Sequence, residues 1–262
     1  MDNNIKSLLF VPAKDKMLAK ITSFSADAYI IDLEDSIPEE EKGEALNRVF
    51  DYLQSLESSS NIIVRINSNH AERELSRLTQ FKRIGFMLPK YEKNNPYDKL
   101  EEKLNGHYTI ALLESPKAFV ELQDICKKQY VSALAFGAED YTAKVNMENC
   151  VEYLFFQKSM LVTYAKAYDL QVFDTPSFKL NDEAEFKREV KSAISLGFDG
   201  KMAISPKHVQ FINDTFKSND LEYMKYVISR YEEDRNAVVV IDGKVYEQMH
   251  INRFRRIIKE NS

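Results

Sequence analysis

Residues 110–140 read IALLESPKAFVELQDICKKQYVSALAFGAED. Two short apolar runs, IALLE (110–114) and ALAFG (133–137), flank a stretch whose apolar residues recur at helical spacing (117–128). An apolar run of strand length without polar alternation suits a strand buried on both faces, as in a parallel sheet whose crossovers are helices. Both runs end on acid: Glu114 closes the first, and Glu139-Asp140 follows the second.

Outward from this stretch the same unit repeats. LLFV (8–11), YIID (29–32), IIVRI (62–66), GFML (85–88), LQVFD (170–174) and KMAIS (201–205) bring the strand-like runs to eight, with amphipathic stretches at 39–56, 71–82, 150–168 and 182–196 between them. Eight strands alternating with helices predict a (β/α)8 TIM barrel over residues 1–216, of α/β class. A doubly wound open sheet is the alternative; it usually carries a glycine-rich first turn, and none is present. Residues 217–262 read as a C-terminal extension, a lid or subunit contact. It consists of a helix over 221–235, a hairpin over 237–246 on the Asp242-Gly243 turn signal, and a basic helical tail over 249–259. Ser58-Ser59-Ser60 reads as a loop.

Polar residues gather at the carboxyl ends of the runs: Pro12-Ala13-Lys14-Asp15, Glu34-Asp35, Arg65 with Asn67, Pro89-Lys90, Glu114, Glu139-Asp140 and Asp174. In a barrel those ends converge on one mouth, where active sites are built, so the distribution predicts an enzyme. With 44% hydrophobic and 29% charged residues the composition is that of a globular protein. A net charge of −5 argues against a nucleic-acid partner held by a broad basic surface. No apolar run approaches membrane-spanning length, and a soluble, cytoplasmic protein without a membrane partner is expected. Cys126 and Cys150 lack CxxC spacing and read as reduced thiols, and the four scattered histidines argue against a zinc site. No glycine-rich phosphate cradle occurs among the seven glycines.

Glu114 and Asp140 form the first candidate pair. Two carboxylates held at the rim by rigid elements, completed by water and substrate oxygens, are how a Mg²⁺ site is composed, with Mn²⁺ as substitute. The alternative is that each pairs with a nearby Lys or Arg. Arg65 offers a planar fork that matches a substrate carboxylate. It could equally bridge to Asp32, Glu34 or Asp35, and its five donors allow both. The cluster Asp32, Glu34 and Asp35 demands compensating cations, from a metal, Arg65 or Lys90. Alternatively, Ser36-Ile37-Pro38-Glu39 is a capped helix start with Asp35 or Ser36 as the cap.

Taken in order, SLLFVP (7–12), DLEDS (32–36), VRIN (64–67), Pro89-Lys90, Glu114, FGAED (136–140), GFDGK (197–201), ISP (204–206) and Ile212-Asn213 resemble the citrate lyase beta-subunit and malyl-CoA lyase branch of the HpcH/HpaI aldolase superfamily. The resemblance covers about residues 6 to 216. It implies a TIM barrel assembled as a homotrimer or hexamer, with Mg²⁺ on Glu114 and Asp140 and the substrate carboxylate on Arg65. Lys6, Pro12, Glu34 and Lys90 are the expected substrate-binding companions, and Asp35 joins Arg65 as a catalytic candidate. The implied reaction makes or breaks a carbon–carbon bond in a small 2-oxo- or 2-hydroxy-acid, as a malyl-, citramalyl- or citryl-type CoA thioester. In it the metal polarises a substrate oxygen and one fragment passes through an enolate.

The chain departs from the family pattern at several points. Lys6 stands for the opening arginine, Ala13 for a glycine, Ser205 for a histidine and His208 for a glutamine. In the lid segment DGKVYE (242–247), Glu247 takes the place of an aspartate acid/base supplied to a neighbouring subunit, and Arg235-Asn236 replaces a small-residue stretch. Arg253, Arg255, Arg256 and Lys259 read as a solvated helix face, with contact to CoA phosphates as the alternative. Three functions therefore compete: a Mg²⁺-dependent lyase, expected first; a hydrolase of a related acyl-CoA on the same site; and a non-catalytic oxoacid-binding subunit.

Overall fold

The computed structural model describes residues 5–56, 60–217, 221–234 and 238–260. Ser58, Ser59, Arg235, Asn236 and Ala237 lie outside them. Eight parallel strands close into a barrel in chain order: β1 (Ser7–Pro12), β2 (Ala28–Asp32), β3 (Asn61–Arg65), β4 (Gly85–Leu88), β5 (Thr109–Leu113), β6 (Ala133–Phe136), β7 (Gln171–Asp174) and β8 (Gly200–Ala203). The seam pairs Ser7 with Lys201, Leu8 with Met202 and Leu9 with Ala203. The helices of eight or more residues are α1 (Lys42–Ser55), α2 (Ala71–Leu78), α3 (Ala138–Val145), α4 (Phe155–Ala167), α5 (Glu183–Leu196), α6 (Pro206–Lys217), α7 (Leu221–Asp234) and α8 (Gln248–Glu260).

Strand side chains alternate between the barrel interior and the helix layer. The interior is filled by Leu8, Ala28, Ile30, Ile63, Met87, Ile110, Leu112, Ala133, Ala135, Phe173 and Met202. Continuing each parity toward the carboxyl ends aims Pro12, Asp32, Arg65, Glu114, Gly137, Thr175 and Ile204 at the mouth. The same parity turns Asp174 and Lys201 outward to the helices, where both are fully buried. Asp174, expected at the mouth, is thus a barrel–helix residue.

Three helical expectations change in detail. Stretch 117–128 is two short helices, Pro116–Val120 and Leu122–Cys126, the first capped by Ser115, whose hydroxyl accepts from the Ala118 N–H. Stretch 39–56 begins with a 3₁₀ turn, Glu39–Glu41, and neither Asp35 nor Ser36 caps it. Both are drawn into the site instead: Asp35 turns to Arg65, and the Ser36 N–H donates to Asp32. The segment after β6, read only as a strand end, opens α3 directly.

The chain divides into two compact units, Met1–Asn213 and Asp214–Ser262, with the division inside α6. In the second unit β9 (Val238–Ile241) pairs antiparallel with β10 (Lys244–Glu247). Asp242 and Gly243 both take positive φ, 50° and 74°, as a two-residue hairpin turn requires. Val239, Ile241 and Tyr246 on one face join Val227 and Ile251 in a small core of this unit's own. No helix among the described residues is long and apolar enough to cross a membrane.

Candidate active site

A cavity of about 370 Å³ opens at the carboxyl ends of the barrel strands. Its lining is polar and ionic at Asp32, Asp35, Arg65, Glu114, Glu139 and Asp140, and apolar at residues that include Phe10, Leu112, Met202 and Ile204.

Asp32 and Arg65 occupy paired positions on β2 and β3. Arg65 grips Asp32 through both carboxylate oxygens, from Nε at 2.7 Å and Nη2 at 2.8 Å, and reaches Asp35 from Nη1 at 2.8 Å. Glu34 lies 3.4 Å from the same Nη1. Burial alone would raise the Asp32 carboxyl, but the hydrogen bonds and charge of Arg65 carry it below its usual value. Burial opposes the Arg65 charge in turn, and Asp32 more than restores it. The Phe10 ring lies under the guanidinium, 5.1 Å from Cζ to centroid. Both readings of Arg65 are thus physically compatible, since three of its five donors are hydrogen-bonded to acid and two face no such bond among the described residues.

Glu114 extends β5 with interior parity and is 2% exposed. Its Oε2 accepts the Lys90 backbone N–H at 2.7 Å. Gly137 leaves room for it: a Cβ there would overlap the Glu114 side chain. Burial, the Glu34 charge and the Asp140 charge push the Glu114 carboxyl up to about 8, against the pull of the Lys90 N–H and Arg65. Asp140 lines the same cavity from the first turn of α3 and is exposed. A carboxyl whose burial and acidic neighbours both favour its neutral form marks a place short of positive charge, and two hard oxygen donors beside open space suit Mg²⁺ or Mn²⁺. The residues present fit such an ion. Among the described residues no group of three or more His, Cys, Asp or Glu converges on one point, so the protein would supply two ligands. Among the described residues no lysine is ion-paired to either carboxylate: Lys90 Nζ goes to Glu34 Oε1 at 2.9 Å, and Lys144 Nζ to the Glu114 carbonyl at 3.1 Å.

Of the other expected site residues, Pro12 and Asp35 line the cavity, while Glu34 and Lys90 pair with each other outside that lining. Glu34 is 3% exposed and lies against two cations, Arg65 and Lys90. Lys6 is not at the mouth. It precedes β1, about 20 Å of extended chain from Pro12, and its backbone is held at the other barrel end by Asp27 Oδ2 and the Lys201 N–H. Glu247 closes β10 in the second unit, exposed, its N–H donating to His250 Nδ1 at 3.0 Å. The apolar wall and the segment Thr175, Pro176 and Phe178 were missed as site residues, although strand parity pointed Phe10, Leu112, Thr175, Met202 and Ile204 inward.

A model of the HpcH/HpaI aldolase/citrate lyase family matches residues 6–206. The chain belongs to this family. Among its relatives, the citrate lyase subunit beta of Leuconostoc mesenteroides subsp. cremoris is 27% identical over 97% of this chain and 92% of its own. The human mitochondrial citramalyl-CoA lyase is 26% identical over 87% of this chain and 76% of its own. The (3S)-malyl-CoA thioesterase of Cereibacter sphaeroides (strain ATCC 17023) is 24% identical over 97% and 93%. In fold the chain is similar to protein CitE of Mycobacterium tuberculosis, solved with magnesium, acetoacetate and coenzyme A. The TM-score is 0.82 at 20% identity, over 100% of this chain and 99% of the other.

Proposed function

We propose that this family member is a Mg²⁺-dependent carbon–carbon lyase acting on a small 2-oxo- or 2-hydroxy-acid carried as a CoA thioester. The observation that carries the reading is the pairing of Glu114 with Asp140, at successive strand ends, in one cavity with Arg65. A divalent cation between these carboxylates would supply Lewis acidity toward a substrate oxygen. Arg65, fixed by Asp32 and Asp35, presents its two remaining donors to a substrate carboxylate as a pre-oriented partner. The apolar lining of Phe10, Leu112, Met202 and Ile204 keeps water from the reacting carbon and strengthens the charge interactions beside it. Glu247 is the proposed proton donor and acceptor in place of the family's lid aspartate, within a homotrimer or hexamer.

Relatives named as citrate lyase subunit beta and citramalyl-CoA lyase support bond cleavage, and one named as a malyl-CoA thioesterase supports hydrolysis as the second reading. Incubating the protein with Mg²⁺ and malyl-CoA or citramalyl-CoA separates them. Cleavage yields acetyl-CoA with glyoxylate or pyruvate, whereas hydrolysis yields free CoA with the hydroxyacid intact. Binding of an oxoacid without turnover of either thioester would leave the non-catalytic subunit. Calorimetry on Glu114→Gln completes the test, since unchanged Mg²⁺ affinity removes the basis of the reading.

A further inference from the structure

One wall of the cavity is a segment without regular secondary structure. Thr175, Pro176 and Phe178 line it, directly after β7, and Thr175 and Ser177 are buried although no strand or helix holds them. What secures this segment lies behind the barrel. Asp174, 0% exposed, meets Lys158 Nζ of α4 at 2.9 Å through Oδ1 and Lys201 Nζ of β8 at 2.8 Å through Oδ2. Glu189 of α5 lies 3.4 Å from Lys201 Nζ, so two cations face two anions. Burying two lysines is costly unless their charges and donors are used. The two lysines use theirs differently. Lys158 serves Asp174, whereas Lys201 also donates to the Thr175 backbone carbonyl at 2.6 Å, the first peptide of the wall. Thr175 Oγ1 in turn accepts the Ala138 N–H at 3.4 Å, at the start of the helix that carries Asp140.

We infer that Lys201 is a positioning residue for the active-site wall, setting Thr175–Pro176–Phe178 through the Thr175 carbonyl, while Lys158 only balances charge. The inference rests on the cavity as the site but not on the identity of the substrate.

The chain contains no tryptophan, so Phe178→Trp places a single fluorescent reporter on the wall. In that background Lys158→Met and Lys201→Met each break one ion pair to the same buried aspartate, and both are expected to lower the melting temperature. Only Lys201→Met is expected to loosen the wall, seen as a red-shifted emission, lower anisotropy and faster acrylamide quenching well below the melting transition. The reporter in Lys158→Met should match the parent. Equal effects in the two variants, or none in Lys201→Met, overturn the inference. If Lys201→Met does not fold, Lys201→Gln is read in its place: its amide is too short to reach the Thr175 carbonyl, and an unchanged wall there is equally fatal. These readouts need neither metal nor substrate, so a failed assay for thioester cleavage would leave the result standing, and the reverse.

Discussion

Gly137 has an ordinary backbone, φ −91°, so its conformation does not require glycine. The requirement comes from Glu114, whose Cγ and Oε1 fill the space a Cβ would take. Gly137→Ala is therefore expected to displace that carboxylate and weaken Mg²⁺ binding by about tenfold or more in calorimetry, with circular dichroism unchanged. Undiminished affinity would mean that Glu114 is not a ligand. Glu74 makes a different kind of prediction. It is 2% exposed on α2, accepts the Asn67 N–H at 2.7 Å, and burial pushes its carboxyl up to about 8, with the Glu34 charge adding to the rise. A group whose pKa is raised on folding favours the native state fully below its unfolded value of 4.5, and that contribution is lost as pH climbs toward 8. Denaturant melts should therefore show stability falling across this window by on the order of a few kcal/mol. Glu74→Gln, which keeps an acceptor for Asn67, should make the fall shallower by the share of Glu74, with Glu114, raised to the same extent, supplying the rest. A variant as pH-sensitive as the parent would place the titration elsewhere.

At the scale of elements, the loop after β4 concentrates demands on Lys90. Its φ of 52° is left-handed, its N–H holds Glu114, and its ammonium sits on Glu34. Replacing it by Ala or by Gly removes the ammonium equally and keeps the N–H, so the two variants differ chiefly in the strain of a left-handed residue. Lys90→Gly is expected to be more stable than Lys90→Ala by about 1 kcal/mol in urea titrations. The reverse order would show that the turn relaxes. This loop illustrates what the sequence discloses and what it withholds. The eight strands were legible because each is an uninterrupted apolar run, and Arg65 and Glu114 because charge at the end of such a run has few places to go. The helix Ala138–Val145 was hidden because it starts one residue after Gly137, with no intervening loop to announce it. Asp174 was placed at the mouth by its position at a strand end, yet its parity, opposite to Phe173 in the interior, already sent it to the helix layer. Lys6 was placed by motif alone, although it precedes a strand whose far end forms the mouth. The pairing of Glu34 with Lys90 was legible, because clustered carboxylates demand cations, whereas the positive φ of Lys90 was not, since no lysine signals one in advance.

For the whole molecule, every one of these placements presupposes that the sheet closes, because Arg65, Glu114 and Ile204 face one cavity only if β8 returns to β1. Where the barrel closes, β8 begins at Gly200, which is buried against the chain leading into β1. A Cβ there would lie 2.5 Å from the Lys6 carbonyl oxygen and 3.0 Å from that of Ile5. The obstacle is backbone, not the end of a flexible side chain, and the Lys6 carbonyl is itself fixed by the Lys201 N–H at 2.8 Å. The strand can make room only by moving away from its neighbour, which would strain the seam hydrogen bonds and the Lys201 side chain that anchors the far wall. Gly200→Ala is therefore expected to cost at least the roughly 1–3 kcal/mol typical of an overpacked interior. In thermal melts it should destabilise the barrel more than Gly106→Ala, whose Cβ would meet nothing within 4 Å although its φ of 83° adds backbone strain. A Gly200→Ala barrel as stable as the parent would mean that the β1–β8 seam has slack, and that the mouth is held together by its side chains instead of by closure of the sheet.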